Sequence, residues 1–295
     1  MTPSTSGKGG YAGAAALMIT SVTLFTVSHG MVRIVSEGVH PLAIAFTTSL
    51  FSFTFYSPWL VRTRLRELRT SRIKIHWVRA FCNASAVWGW YLALTLVPLA
   101  DAVAVSLAGP LVITLGAVLF LGEVARMRRW VAMGIGIVGA LLIIRPGFEA
   151  FNFGYLFIFM NLTMTAGSRL ITKHLTKTEA SVALGAWIAL LQIPITFVVA
   201  VFFWSWPTLE QWAMMIGIGL LVGGAHFTLT IAYNRADLGS LEPFNFVRLV
   251  LAALIGFFFF AEEPGLLTWI GAAVIVTATS YIAHREAVRQ REEKR

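Results

Sequence analysis

The chain has 295 residues, of which 57% are hydrophobic and 13% are charged, and its mean hydropathy is +0.76. About a quarter of the residues in soluble domains are charged, so this composition excludes a water-soluble protein with one apolar core. The formal charge of +9 does not indicate a nucleic acid partner, because the basic residues lie in short connections between apolar segments. The expected partners are therefore membrane lipids and no nucleic acid.

The cysteine count excludes frameworks based on disulfides or structural zinc. Cys82 is the only cysteine and lies within an apolar segment, so no disulfide and no Cys/His zinc spacing is available. Nothing in the sequence indicates a cofactor. The first ten residues are polar, and no small-residue cleavage pattern closes the first apolar run, so we expect the first helix to be retained.

The apolar segments predict an all-α integral membrane protein with ten transmembrane helices. Each helix needs roughly 20 mostly apolar residues to cross the hydrocarbon layer. Prolines fall at or beside the predicted connections, where a helix has ended and proline costs little. The predicted helices cover residues 11–35, 41–61, 73–96, 100–121, 129–145, 153–173, 180–203, 209–234, 239–261 and 266–284.

Basic residues are distributed unequally between the two sets of connections. One set contains the arginines and lysines of residues 62–74 and 126–129 and those of the C-terminal tail, whereas the other contains only Arg33 and Arg145. Positively charged loops stay in the cytoplasm during insertion. We therefore expect both termini to be cytoplasmic, in a multi-pass protein of the inner (plasma) membrane.

The sequence contains an internal repeat with an offset of 139 residues, which aligns Glu123 with Glu262 and Trp130 with Trp269. The repeat predicts two halves, residues 1–147 and 148–295, with five helices each. An odd number of helices makes the second half enter the membrane in the opposite sense. Inverted repeats of this kind place a substrate site between the halves and allow alternating access to it.

The stretch Ala93–Gly147 resembles the EamA repeat of the drug/metabolite transporter superfamily. The features that carry the resemblance are the ALTLVPLADA start, Pro110 within the next helix, the LGE that ends at Glu123, Trp130 and the closing RPG. The second half carries the same pattern more loosely and lacks the proline, because Leu249 aligns with Pro110. The resemblance implies a ten-helix carrier of metabolites, and the branch it suggests exports amino acids, including aromatic ones.

Strongly polar residues away from helix ends normally face the bundle interior or a water-filled cavity. We expect such residues on the first, third, fourth, sixth, eighth and ninth helices to line a substrate site. The fifth and tenth helices lack them, so we expect these two to lie outside, facing lipid or another protomer in an oligomer. The candidate substrate-binding residues are Arg248, Asn245, Glu242, His226, Tyr233, Thr230, Asn83, Trp90, Asn161 and Thr165.

Arg248 is the residue we single out, because it lies near the middle of the ninth predicted helix and cannot lose its proton to escape burial. One interpretation is a clamp that forms two parallel hydrogen bonds with a substrate carboxylate, and the other is an internal ion pair with Glu242. His226 is either a proton-coupling group or a hydrogen-bonded packing residue. Proton antiport and facilitated diffusion are both compatible with the sequence.

Two further pairs of charged residues have expected positions near helix ends. Arg79 and Arg169 are expected to extend their side chains to the cytoplasmic headgroups. Glu123 and Glu262 carry the repeat motif, and capping and gating are both compatible with their position.

Other functional classes lack their sequence motifs. The chain contains no G-x-S-x-G, no H-E-x-x-H, no paired intramembrane aspartates and no Walker A motif. A channel would need a continuous polar pore, whereas the polar stripes here are short. We therefore predict a secondary transporter of small metabolites, most specifically amino acids, and no enzyme. The alternatives are an exporter of another metabolite or of a drug-like cation, a membrane-embedded enzyme and a channel.

Overall fold

The structure, a computed structural model, describes residues 8–55, 57–58, 70–121, 127–145, 152–175, 179, 181–235, 241 and 244–292. These residues form eleven α-helices and no β-strand. The helices are α1 (Lys8–Val35), α2 (Pro41–Ser52), α3 (Ile73–Leu96), α4 (Leu99–Ser106), α5 (Gly109–Leu121), α6 (Met127–Ile144), α7 (Gly154–Leu175), α8 (Ser181–Ala200), α9 (Leu209–Arg235), α10 (Asn245–Phe260) and α11 (Leu266–Glu292).

Most predicted helices agree closely with the observed ones, but α2 ends at Ser52 where residue 61 was predicted, and α11 continues to Glu292 where residue 284 was predicted. Helix α3 covers the predicted residues 73–96, and α9 ends one residue beyond its prediction. Among the described residues, four segments are long and apolar enough to cross a membrane by length and composition: Ala12–Val35, Leu99–Gly116, Ala183–Phe203 and Leu209–Ala232. The all-helical membrane fold that the composition predicts is therefore confirmed.

The fourth predicted span is broken, which corrects the expectation of one continuous helix. Helix α4 ends at Ser106 and α5 begins at Gly109. Pro110 has no N–H to donate, and its ring would clash with the carbonyl of Ser106 in a continuous helix. The break therefore follows from the proline. Helix α4 is at its centre, since Ala102 and Val103 have no exposed surface.

The helices pack in pairs that join the first part of the chain to the second. Helix α1 packs along α9, and α3 packs along α7. Helix α2 contacts α9 and α8, while α3 also contacts α8. Helix α10 lies between α1 and α4, and α5 lies against α7. None of these pairs is formed by consecutive helices, so contacts between distant parts of the chain hold the bundle together.

Helices α6 and α11, the predicted fifth and tenth spans, pack against each other within the chain, and their expected contact with lipid or another protomer stays a prediction. Gly139 and Gly271 lie at this contact. A Cβ atom added to Gly271 would be 2.5 Å from the carbonyl oxygen of Gly139, and one added to Gly139 would be 2.8 Å from that of Gly271. Small residues let two membrane helices approach closely. The opposite face of α6 remains exposed at Ile135 and Val138.

Candidate functional site

An aromatic and cationic cluster lies where α1, α3, α9 and α10 meet. The guanidinium carbon of Arg248 is 5.1 Å from the centre of the Trp90 ring. The Trp90 ring contacts the His29 ring edge to face, with centroids 5.2 Å apart. On the other side, Phe25 stacks on His29 at 6.1 Å and meets His226 edge-on at 4.9 Å. These five side chains are hereafter called the central cluster.

Helix geometry explains why these side chains meet. Phe25 and His29 are four residues apart, so they lie one above the other on the same face of α1. Arg248 is in the first turn of α10, because this helix begins at Asn245. Its expected position near the middle of a span stays a prediction, because residues 242–243 lie outside the described part of the structure.

Three polar atoms of the central cluster have no hydrogen-bond partner among the residues that the structure describes: Nδ1 of His29, Nε1 of Trp90 and Nε of Arg248. The side chains of His29 and Trp90 are almost fully buried, with 7% and 5% of their surface exposed. An unmade hydrogen bond at a buried group costs about 1–3 kcal/mol. Three such atoms in one place therefore make the central cluster a candidate ligand site.

Arg248 is the cation of the central cluster, and its guanidinium lies against the Trp90 ring. Arg169 is exposed on α7, and its expected reach to the headgroups stays a prediction. An aromatic wall beside a guanidinium group can stack a flat ring and donate hydrogen bonds to its acceptor atoms.

The structure brings only some of the predicted site residues together. Trp90, His226 and Arg248 belong to the central cluster. Thr230 is exposed on α9, and its hydroxyl donates to the carbonyl of His226. Thr165 is half-buried on α7.

Two predicted site residues make helix contacts instead. The Asn83 amide donates to Oε1 of Gln192 at 2.7 Å, and Nε2 of Gln192 donates to Ser49 at 3.0 Å. The Asn161 amide donates to the carbonyl of Ala86 at 2.8 Å. Asn83 thus ties α3 to α8 and α2, and Asn161 ties α7 to α3. Their side-chain amides are used inside the protein and not toward the central cluster.

The remaining predicted site residues are not described at the level of side chains. Tyr233 and Asn245 lie on α9 and α10, and their side chains fall outside the described part of the structure. Glu242 and Glu123 lie outside the described residues altogether.

Phe25 and His29 are the cluster members that sequence reasoning missed. A signal was present, because a histidine within an apolar span is a functional candidate by default. His29 stands among Val27, Ser28 and Gly30 in the first span. Its proximity to Trp90 depends on the packing of α1 against α3, which no local pattern encodes.

A buried polar network lies at the start of α3. The Arg79 side chain has no exposed surface and donates to the carbonyl of Leu184 at 2.6 Å and to Nδ1 of His76 at 3.2 Å. His76 also contacts Glu179 at 2.8 Å, and Thr70 donates to the same carboxylate. The expectation that Arg79 reaches the headgroups is wrong, because helix α8 offers it a carbonyl oxygen inside the protein.

A second network lies at the far end of α1. Arg33 forms an ion pair with Glu262, and its guanidinium lies 4.7 Å from the centre of the Phe260 ring. The other oxygen of Glu262 accepts a hydrogen bond from the backbone N–H of Leu99 at 2.9 Å. Leu99 is the first residue of α4, so Glu262 caps that helix.

Comparisons with known proteins agree with this architecture. Residues 12–145 match the EamA-like transporter family. The chain is 34% identical to the riboflavin transporter of Rhizobium johnstonii, over 84% of this chain and 82% of that protein. It is 27% identical to the S-adenosylmethionine uptake transporter of Rickettsia bellii, over 87% of this chain and 88% of that protein.

A solved crystal structure that is 20% identical covers 93% of this chain and 98% of its own, with a TM-score of 0.63. This likeness concerns the fold alone. The resemblance seen in Ala93–Gly147 is confirmed by the family match, whereas the restriction to amino-acid export finds no support among these relatives. The apolar helices, the family match and the long alignments together establish that the chain belongs to the EamA-like transporter family of the drug/metabolite transporter superfamily, as a multi-pass inner-membrane transporter of small molecules and not an enzyme.

Proposed function

We propose that this chain carries a small planar heteroaromatic metabolite across the inner membrane, and that riboflavin is the first substrate to test. The central cluster is the observation that carries the proposal. It combines the flat faces of Trp90 and Phe25 with the donors of Arg248 and Trp90. A fused heteroaromatic ring offers apolar faces for stacking and an edge of acceptor atoms for these donors.

The charge of the central cluster favours some substrates over others. The riboflavin transporter of Rhizobium johnstonii is 34% identical to the chain, and riboflavin is a neutral, acceptor-rich compound. S-adenosylmethionine and drug-like cations carry positive charge. Arg248 would repel such compounds at short range, where electrostatic interactions are strong. The geometry therefore supports a neutral or anionic substrate.

The architecture we propose is ten transmembrane helices in two inverted halves, residues 1–147 and 148–295, with both termini in the cytoplasm. The packing supports it. If each half contributes five spans, α1 corresponds to α7 and α3 corresponds to α9. Exchanging the two halves then turns the contact between α1 and α9 into a contact between α7 and α3. Both pairs occur, and α2 with α9 is likewise matched by α8 with α3. Exchange of the halves therefore preserves the packing, as an inverted repeat requires.

Amino-acid transport is the second candidate, and Arg248 is the observation that favours it. A guanidinium beside an aromatic wall suits an aromatic amino acid, whose carboxylate can accept two parallel hydrogen bonds. An amino acid, unlike riboflavin, carries an ammonium group, so this candidate also needs a protein group that binds the ammonium. A carboxylate serves this purpose in many sites, and Glu242 is the nearest in sequence.

Counterflow in proteoliposomes tests the proposal. Vesicles that contain the full chain are loaded with unlabelled compound, and entry of labelled riboflavin, tryptophan or S-adenosylmethionine is followed. We expect accelerated exchange with riboflavin and none with S-adenosylmethionine. The substitution Trp90→Leu should abolish exchange, while Trp206→Leu, at a tryptophan that is 85% exposed, serves as the matched control. Exchange of tryptophan alone would support the second candidate.

A pH gradient across the same vesicles distinguishes the two carrier mechanisms. We propose His226 as the coupling group, because it is exposed at the central cluster while it packs against Phe25. A proton antiporter would accumulate substrate when the gradient is imposed, and His226→Gln would remove this response while leaving counterflow. A uniporter would show no accumulation in either protein.

A further inference from the structure

We infer that the ion pair between Arg33 and Glu262 is the outer gate of this carrier, and that the structure is the state in which the central cluster opens toward the cytoplasm. This inference rests on the proposed function, since it uses the proposed inverted halves and the cytoplasmic position of both termini. It goes further in naming the bond that must break before the central cluster can open to the other side of the membrane.

Six helices around the central cluster form two packing groups. Helix α1 packs against α9 and α10, whereas α3 packs against α7 and α8. The central cluster lies between the groups, because Trp90 comes from the second group and its ring contacts His29 and Arg248 of the first. In carriers built from inverted repeats, such groups rock against each other around a fixed site. Contacts between the groups therefore indicate which end of the site is closed.

Polar contacts join the two groups at the end of α1, which is the outer end in the proposed orientation. The guanidinium of Arg33 donates to the carbonyl oxygen of Val97, directly after α3, at 3.3 Å. Its partner Glu262, directly after the end of α10, accepts from the backbone N–H of Leu99 at the start of α4. The ion pair thus fastens α1 and α10 to the connection between α3 and α4. Breaking it would release this end of the first group from the second.

An apolar layer lies between this ion pair and the central cluster. Val32 on α1 has no exposed surface, and neither do Leu94 and Val97 at the end of α3. These three residues belong to one buried apolar cluster. Helix α1 also approaches α10 closely here, because a Cβ atom added to Gly30 would lie 2.9 Å from Cγ2 of Ile255. In the part of the chain that the structure describes, this layer separates the central cluster from the outer end.

The two groups have separate contacts at the cytoplasmic end. The apolar cluster around Met18 and Val22 of α1 draws its other described members from α1, α9 and residues 241–247. The buried hydrogen bonds of Arg79 stay within the second group, since they join α3 to α8. Among the described residues, no buried apolar cluster joins the groups through the start of α1. The cytoplasmic ends of the two groups are therefore packed separately.

An exposed polar face leads from the central cluster to this end. His226 is exposed beside Phe25, and Thr230, which is nearer the end of α9, is exposed as well. Residues four positions apart share one face of a helix. Polar groups at the depth of the hydrocarbon normally face a water-filled cavity or the bundle interior, so this face continues the site toward the cytoplasm. The protein is thus closed at the outer end and open at the cytoplasmic end.

Labelling of single cysteines with a membrane-impermeant maleimide tests the gate without any substrate. The full chain with Cys82→Ala provides a background without thiols, since Cys82 is the only cysteine. Two reporters are introduced separately, Val32→Cys in the apolar layer and Thr230→Cys on the exposed face. We expect Thr230→Cys to react in inverted vesicles, whose cytoplasmic side faces the reagent. Val32→Cys should be protected both in inverted vesicles and in spheroplasts.

Variants of the ion pair should open the outer end. Arg33→Gln and Glu262→Gln should each make Val32→Cys react at least about tenfold faster in spheroplasts, since losing a hydrogen bond to a charged group shifts an equilibrium by about that factor or more. Arg33→Lys keeps the charge and should change the rate by less than about threefold. Gly271→Val disturbs the contact of α6 with α11, so it controls for a general loss of stability and should leave Val32→Cys protected.

Several results would overturn the gate. One is reaction of Val32→Cys from the outside while the ion pair is intact, and another is an unchanged rate in both Arg33→Gln and Glu262→Gln. Equal acceleration by Gly271→Val would show that any destabilised variant exposes the reporter. Failure of Thr230→Cys to react in inverted vesicles would mean that the cytoplasmic end is closed.

The outcomes separate this inference from the proposed function. Labelling that depends on the ion pair, without riboflavin exchange in vesicles, would uphold the gate and refute riboflavin as the substrate. Riboflavin exchange, with labelling that ignores the ion pair, would uphold the proposed function and refute the gate.

Discussion

Arg33, near the end of α1, forms an ion pair with Glu262, which lies between α10 and α11. Because Glu262 also accepts the amide hydrogen of Leu99, one carboxylate holds together the ends of three helices. Between capping and gating, the structure assigns Glu262 a capping contact with α4. The contact also connects the two proposed halves of the protein, so these helix ends can separate only after the ion pair breaks.

Substitution Glu262→Gln should lower the free energy of unfolding by about 1–3 kcal/mol, the usual cost of losing a hydrogen bond to a charged group. The amide keeps an oxygen for the Leu99 N–H but loses the charge that pairs with Arg33. Unfolding in mixed micelles with increasing SDS measures the change. Glu263→Gln, at the exposed neighbouring residue, is the matched control, and equal stability of the two variants would contradict the ion pair's role.

Substitution Arg248→Lys should weaken transport although it conserves the charge. A lysine ammonium cannot form two parallel hydrogen bonds and stacks less well on the Trp90 ring. We expect KM for the transported compound to rise about tenfold or more, as for the loss of one strong polar contact. The measurement is concentration-dependent counterflow, and Arg235→Lys, at the exposed end of α9, is the control. Unchanged uptake in Arg248→Lys would count against the clamp.

Most of the helix boundaries could be predicted from sequence because the membrane imposes a simple rule. A span requires a long apolar run, and polar or proline-containing connections end it. The same rule could not reveal the break at Leu107 and Ala108, since both residues are apolar. Pro110 was the available signal, and its effect on the carbonyl four residues earlier accounts for the break.

The central cluster was only partly predictable. Arg248, His226 and Trp90 were found because polar and aromatic residues within apolar spans are conspicuous. Asn83 and Asn161 carry the same signal, yet their amides bond to Gln192 and to the carbonyl of Ala86. Sequence gives the helix face of such a residue but not the neighbour that this face meets. That neighbour depends on contacts between distant parts of the chain.

The Gly139 and Gly271 contact predicts that a larger side chain will separate α6 from α11. A Cβ at residue 271 would lie 2.5 Å from the carbonyl oxygen of Gly139, and helix backbones cannot move apart without losing packing elsewhere. Gly271→Val should therefore reduce stability by about 1–3 kcal/mol, the typical cost of overpacking. Gly134→Val is the matched control, because a Cβ at residue 134 meets no atom within 4 Å.

Thermal unfolding of the two glycine variants, followed by size-exclusion chromatography in detergent, measures this difference. A lower melting temperature for Gly271→Val than for Gly134→Val is expected. The opposite order would mean that α6 and α11 do not pack through these glycines. A shift of Gly271→Val to a smaller oligomer, with no change in melting temperature, would place the glycine face between protomers.

The buried hydrogen bonds of Arg79 predict that this residue stabilises the fold and takes no part in substrate binding. Its guanidinium supplies the hydrogen bonds to the Leu184 carbonyl and to His76, so Arg79→Met removes both bonds and leaves Nδ1 of His76 without this donor. An orphaned buried group costs about 1–3 kcal/mol, and the variant should lose several degrees of melting temperature. Arg72→Met, at a residue whose contact with His174 at 3.4 Å is exposed, should lose little, since exposed contacts contribute weakly.

Ligand affinity gives the second readout for Arg79. Because its guanidinium bonds to α8 and to His76 and not to the central cluster, the folded fraction of Arg79→Met should bind riboflavin as the unaltered chain does, with a Kd within about threefold. A large loss of affinity at unchanged stability would instead place Arg79 on the substrate path. The buried position of its side chain argues for the first result, because a group already bonded inside the protein has few donors left for a ligand.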